Sequence, residues 1–216
     1  MGEIISEQNQ NMNKMIWSYS RLDSFATCPY AWQRHYLENE PGESNAYAEF
    51  GSLVHKVIEM YAKGELQKED LPDYYEFLFE TEINTDFPYP SEETKEKYFI
   101  QGYEYFQDFP IDLQLYDVLG VEKDIHFKIE GHDFIGFIDL LLRDKNTGEI
   151  TVLDNKSATL KFKKNGEVSK TDLWHLEKFK RQLYLYTKPV IEEFGKVDWI
   201  SWNLFRVPKI YRVPFD

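Results

Sequence analysis

The sequence predicts an α/β protein with a mixed central β-sheet that contains an antiparallel meander, flanked by helices and carrying a helical insertion at about 62–118. Three observations predict it. Strand-like segments at 121–129, 133–142 and 149–154 follow one another across short turn sequences. A long helical segment, 172–194, comes after them, and a strand-like segment at 197–206 returns beyond it. The 216 residues favour one domain over 16–216, preceded by a polar, Asn/Gln-rich arm at 1–15 that lacks hydrophobic period and reads as flexible.

In chain order, Ser20 and Asp23 have the spacing of a capping box and predict a short helix that stops near Pro29. A second short helix runs through Trp32 and Tyr36. Leu53, Val54, Val57, Ile58 and Tyr61 recur at helical spacing, so 51–61 reads as an amphipathic helix. Residues 65–118 are acidic and aromatic, broken by Pro72, Pro88, Pro90 and Pro110, and read as a helical subdomain. Gly131-His132 and the stretch 144–148 supply turn chemistry between the strands. Ser169 and Asp172 box the start of the long helix, within which Pro189 marks a kink or a break. No Gly-rich loop followed by Lys-Ser/Thr exists, which excludes a recognisable ATP motor.

A content of 42% hydrophobic residues excludes global disorder, and apolar runs such as 134–142 are too short to cross a bilayer. No membrane partner is expected. The single cysteine, Cys28, excludes an internal disulfide and a four-thiolate metal site built by one chain; it reads as a small buried hydrophobe. Without a basic and apolar leader the expected compartment is the cytoplasm, the host's if the chain is phage-encoded. The net charge of -13 hides an asymmetry. Residues 1–155 hold 12 Lys/Arg against 31 Asp/Glu, whereas 156–188 hold 9 against 3. The positive segment, with Lys161, Lys163, Lys164, Lys178 and Arg181, is either a solvated face or a footprint for a polyanion.

Candidate chemistry lies in Gly136-Phe137-Ile138-Asp139 and Asp154-Asn155-Lys156. If the intervening hairpin places Arg143 opposite Ile150, Asp139 falls opposite Asp154, with side chains about 4.5–5.5 Å apart at Cβ, where like charges destabilise. A divalent cation between them resolves the conflict, since hard carboxylate oxygens suit Mg²⁺. Lys156, one pleat beyond Asp154 on the same face, could then orient a water for attack on phosphorus. The competing reading is a surface hairpin in which both aspartates pair with Lys156 and other cations. Gln182 and Tyr186 lie four apart and share one helical face, and His55 sits at the border of the apolar stripe of its helix.

Gly51-x-x-x-His55, Gly136-x-x-Asp139, Asp154-x-Lys156 and Gln182-x-x-x-Tyr186, in this order, resemble the RecB-like branch of the PD-(D/E)XK nuclease superfamily. Residues 18–22 and Cys28-Pro29-Tyr30 are similar to the entry helices of such nucleases. The resemblance implies a restriction-endonuclease-like core in which His55, Asp139, Asp154 and the backbone carbonyl of Asn155 bind Mg²⁺ or Mn²⁺. It makes Lys156 the catalytic lysine, with Gln182 and Tyr186 positioning the lysine and the substrate strand. Ile138 stands where the family signature has proline. Members with an iron–sulfur cluster use four cysteines, so with Cys28 alone no cluster is expected here, and ordinary packing around Trp17, Trp32, Trp199 and Trp202 must hold the domain ends.

The function expected on this resemblance is a metal-dependent DNA exonuclease acting on ends or single strands in recombination, repair or phage replication, with DNA and a helicase or recombination protein as partners. The alternatives are a structure-specific endonuclease, an RNA-cleaving member, or a non-catalytic acidic interaction protein or DNA mimic.

Overall fold

The computed structural model describes residues 15–42 and 44–216, so the expected arm lies outside the described residues apart from Met15. Two short helices open the chain, α1 (Tyr19–Thr27) and α2 (Pro29–Tyr36). Ser18, not Ser20, caps α1: its side chain accepts the Arg21 N–H. Cys28 ends α1 and caps α2, its Sγ lying 3.5 Å from the Ala31 nitrogen. That role keeps Cys28 at the surface, which corrects its expected burial.

Helix α3 (Ala46–Ala62) begins more than a turn earlier than its apolar stripe suggested, because Asn45 accepts hydrogen bonds from the Tyr47 and Ala48 amides. Helices α4 (Leu71–Glu82) and α5 (Ser91–Gln107) follow. Their Tyr75, Phe79, Tyr98, Tyr105 and Phe106 share one core with Phe50 and Leu53 of α3 and with Leu140, Leu142 and Leu153 of the sheet.

The sheet has five strands in sequence order: β1 (Tyr116–Ile129), β2 (His132–Asp144), β3 (Ile150–Lys156), β4 (Trp199–Leu204) and β5 (Lys209–Pro214). All neighbours are antiparallel except β3 and β4, so the sheet is mixed, as the sequence predicts. Parallel neighbours need a crossover, and α6 (Leu173–Phe194) supplies it. Strand β5 went unanticipated. The β1–β2 turn is Glu130-Gly131, with φ of 49° and 83°, so His132 belongs to β2 rather than to the turn.

Ser169 and Asp172 do not cap α6; a 3₁₀ turn over Lys170–Asp172 precedes it, and the Asp172 carboxylate accepts the Lys161 amide at 2.8 Å. Pro189 sits inside α6 without ending it, the hydrogen bond it cannot donate being offset by burial of Tyr186, Thr187 and Val190 around it. The inner face of α6 packs Leu176, Phe179 and Leu183 against Ile138, Leu141, Val152, Ile200 and Trp202. The four tryptophans form no single cluster. Trp17 stacks on Trp32 at 5.9 Å near the amino-terminal helices, while Trp199 and Trp202 lie on β4. Among the described residues no helix is long and apolar enough to cross a membrane.

Candidate active site

Residues below and above one level of the sheet face opposite ways. On β2, Phe134 and Ile138 pack toward α6, whereas Leu140 and Leu142 pack toward α3. The even positions therefore change face at Asp139. On β1 the odd positions change face as well, with Ile125 and Phe127 toward α6 and Val121 toward α3. Glu122 marks that reversal with a φ of 44°, which is uncommon for a residue with a side chain. Local irregularity of this kind re-aims side chains, and here it brings Glu122 and Asp139 together with His55 of α3.

The β2–β3 hairpin has the register the sequence predicts, from Arg143↔Ile150 to Leu140↔Leu153. One step further the two aspartates would be opposed, and there the ladder ends. The Asn155 amide donates to Asp139 Oδ2 at 2.6 Å instead. Both acids are buried, Asp139 at 9% exposure and Asp154 at 5%. Burial, and then the Asp154 charge, raise the Asp139 pKa well above the ordinary carboxylate range.

Helix α3 places His55 against this pair. Its Nε2 lies 3.0 Å from the Asn155 carbonyl oxygen and its Nδ1 lies 3.5 Å from Asp139 Oδ2. A carbonyl can only accept, so Nε2 carries the proton and Nδ1 keeps a free lone pair. Burial lowers the His55 pKa, against the pull of Asp154, and favours that neutral ring.

Lys156 completes a closed triangle. Its Nζ donates to Asp154 Oδ1 at 3.0 Å and to Gln182 Oε1 at 2.9 Å, and Gln182 Nε2 donates to the same Asp154 oxygen at 3.1 Å. Asp154 Oδ2, 2.8 Å from the ammonium, is buried yet accepts no well-aligned hydrogen bond among the described residues. Tyr186 lies one turn beyond Gln182, packed against the sheet where Gly136 leaves room for it: a Cβ at Gly136 would stand 2.5 Å from the Tyr186 ring. Burial, and then Asp154, push the Tyr186 hydroxyl up to about 12. Behind the site, the Asn203 amide donates to Asn155 Oδ1 at 2.7 Å and to the Tyr105 hydroxyl at 2.6 Å.

Sequence reasoning missed Glu122. His55, Glu122 and Asp139 each offer a ligand atom within 4.8 Å of the others. The signal was present, because a tight turn at Glu130-Gly131 mirrors Glu122 onto Asp139 as the second hairpin mirrors Asp139 onto Asp154; the pairs Val121↔Leu140 and Lys123↔Ile138 bracket it. Tyr19 was missed too: its hydroxyl donates to the Lys178 carbonyl at 2.6 Å, tying α1 to α6.

The five cations expected to touch DNA divide into two groups. Lys178 pairs with Asp23 at 2.7 Å and Lys163 with Glu167 at 2.8 Å. Lys161, Lys164 and Arg181 have no carboxylate partner among the described residues.

A five-stranded mixed sheet between helical layers, with an Asp-x-Lys strand end facing a second buried aspartate, is the restriction-endonuclease-like core. The chain belongs to the PD-(D/E)XK nuclease superfamily, whose sequence profile matches residues 16–194. That makes it a hydrolase of phosphodiester bonds, in a family whose members use divalent metals. A crystal structure from Eubacterium rectale, of a protein provisionally named an exonuclease, superposes over 96% of this chain and 75% of its own with a TM-score of 0.52. At 16% identity that likeness speaks for the fold. No curated protein matches the chain in sequence.

Proposed function

We propose that the protein is a Mg²⁺- or Mn²⁺-dependent deoxyribonuclease, acting as an exonuclease on DNA ends or single strands. One observation carries the reading: Lys156 is fixed by Asp154 and Gln182 beside the point where two buried aspartates meet a neutral histidine. Asp139, Asp154 and His55 Nδ1 form a donor set suited to such a cation, and the Asn155 carbonyl, held here by His55 Nε2–H, would join it once the imidazole turned away. The like-charge strain between Asp139 and Asp154, which the Lys156 ammonium 2.8 Å from Asp154 Oδ2 offsets in part, is what a cation would relieve.

When bound, a divalent cation supplies Lewis-acid stabilisation of the charge that develops on phosphate oxygens. The chain supplies orientation. Lys156 has three N–H donors and spends two on Asp154 and Gln182, which leaves the third for an attacking water or a phosphate oxygen. Gln182 keeps the ammonium in place, and Tyr186, protonated at neutral pH, forms the wall behind it. No side chain here is set up as a covalent nucleophile, so hydrolysis is direct. Family membership supports a setting in recombination, repair or phage replication, in the cytoplasm, beside a helicase or recombination protein.

The test is incubation with end-labelled linear, single-stranded and closed circular DNA, in Mg²⁺, Mn²⁺ or chelator. Linear and single-stranded DNA should be shortened from their ends only when metal is present, while closed circles persist. Lys156→Ala should lower turnover by at least about 100-fold with the fold retained, as removal of a transition-state donor does elsewhere. Cutting of circles would replace the exonuclease with an endonuclease, and full activity in Lys156→Ala would remove the mechanism.

A further inference from the structure

We infer that Glu122 is a ligand of the divalent cation, which sits in a pocket formed jointly by β1, β2 and α3 rather than between β2 and β3 alone. The inference rests on the metal-dependent reading above and names a donor beyond the set that reading uses.

The Glu122 carboxylate lies across from Asp139, half-buried, and neither accepts a hydrogen bond nor forms a salt bridge among the described residues. An unpartnered carboxylate at such a place is costly. Its backbone is strained as well: a φ of 44° inside a strand is unfavourable for a residue with a Cβ, and such strain is kept where function demands it. Without that turn the strand would keep its alternation, and Glu122 would not stand within 4.8 Å of both a His55 nitrogen and an Asp139 oxygen. Next to this group Asp154 is only 5% exposed, and its Oδ2 has the Lys156 ammonium at 2.8 Å without a well-aligned hydrogen bond. Two carboxylates from adjacent strands, Glu122 and Asp139, thus converge on the neutral His55 imidazole, with Asp154 beside Asp139 and Lys156 as the nearest cation. Oxygen donors in that number, with one nitrogen, match what Mn²⁺ or Mg²⁺ takes when water completes the shell.

The experiment measures Mn²⁺ binding by calorimetry and thermal midpoints with and without Mn²⁺, on the full chain, for wild type, Glu122→Gln and Glu59→Gln. Glu59 is a nearby acid already paired with Lys63, so its variant controls for net charge. Loss of even an outer partner of a metal ligand costs about 10–100-fold in affinity, so Glu122→Gln should weaken Mn²⁺ by at least about 10-fold. Its metal-free midpoint should hold or rise, because a buried repulsion is gone, while its Mn²⁺-induced rise shrinks. Glu59→Gln should bind within about 2-fold of wild type, its charge being solvated.

A structural role predicts the reverse pattern, a lower metal-free midpoint with unchanged Mn²⁺ affinity, and that result overturns the inference. Should Glu122→Gln not fold, wild-type protein labelled with ¹³C-glutamate decides: Mn²⁺ must show a ¹³C hyperfine coupling, since His55, Asp139 and Asp154 cannot supply one. Absence of the coupling overturns the inference with the metal reading intact. Failure of wild type to take up Mn²⁺ at all overturns both.

Discussion

Folding brings Asp139 out of water and next to Asp154, so the metal-free native state holds a proton that the unfolded chain releases in the ordinary carboxylate range. Between that range and the raised native pKa the native state binds more protons than the unfolded state, and stability therefore falls as pH rises. Glu122, raised by burial and then by Asp139, adds to the same slope. The lowered His55 pKa gives the opposite slope, so in chelator from about pH 4 to 8 the raised acids contribute to the thermal midpoint a decline toward neutrality that His55 partly offsets. Asp139→Asn should flatten that decline, raise the metal-free midpoint at neutral pH, and abolish both Mn²⁺ binding and cleavage. A pH dependence of the metal-free midpoint that is the same in wild type and Asp139→Asn would contradict the strained pair. Substitution of Asn203 acts one layer back. Asn203→Leu leaves Asn155 Oδ1 and the Tyr105 hydroxyl buried without their donor, so a loss of about 1–3 kcal/mol in stability is expected from denaturant melts.

Helix α6 approaches the sheet as closely as it does because Gly136 has no side chain. A methyl there would stand 2.5 Å from the buried Tyr186 ring, which has no room to retreat. Gly136→Ala should cost about 1–3 kcal/mol, read as a lower thermal midpoint. It should also lower kcat, since Gln182, one turn before Tyr186, moves with the helix and loosens its hold on Lys156. This contact was legible in the sequence as two separate spacings, Gly136 to Asp139 and Gln182 to Tyr186, but not as one contact. The hairpin that opposes Asp139 to Asp154 was legible because a turn at 144–148 fixes register by symmetry. The same symmetry about Glu130-Gly131 sets Glu122 against Asp139, whereas its positive φ, which breaks the alternation of faces, was not legible. The caps failed for a related reason. Ser18 and Asn45 act through single side-chain oxygens whose choice among nearby Ser, Asn and Asp depends on where the chain enters the helix. At Asp172 the carboxylate is taken instead by the Lys161 amide, a contact across a loop that helix spacing does not encode.

Across the whole molecule, charge argues against a polyanion partner except along one side. The net charge is -13, and residues 65–108, which hold α4 and α5, carry 13 acids against 3 bases. Duplex or single strand is repelled from that layer. The positive stretch begins at Lys156 in the site and continues along the loop to α6, and under the proposed function it would guide a phosphate backbone to the buried acids. Not every cation on that route is free. Lys163 and Lys178 are already neutralised by Glu167 and Asp23, whereas Lys161, Lys164 and Arg181 have no acidic partner among the described residues. A lysine or arginine that replaces counterions on single-stranded DNA adds about 0.7 to the slope of log affinity against log salt. Replacing Lys161, Lys164 and Arg181 together by alanine should therefore lower that slope by about 2 and weaken single-strand binding most at low salt, as measured by fluorescence anisotropy without divalent metal. The paired replacement Lys95→Ala with Lys97→Ala on α5 removes nearly as much positive charge from the opposite layer and should leave the slope unchanged. If both variants shift the slope alike, general charge governs binding and the route along α6 carries no strand.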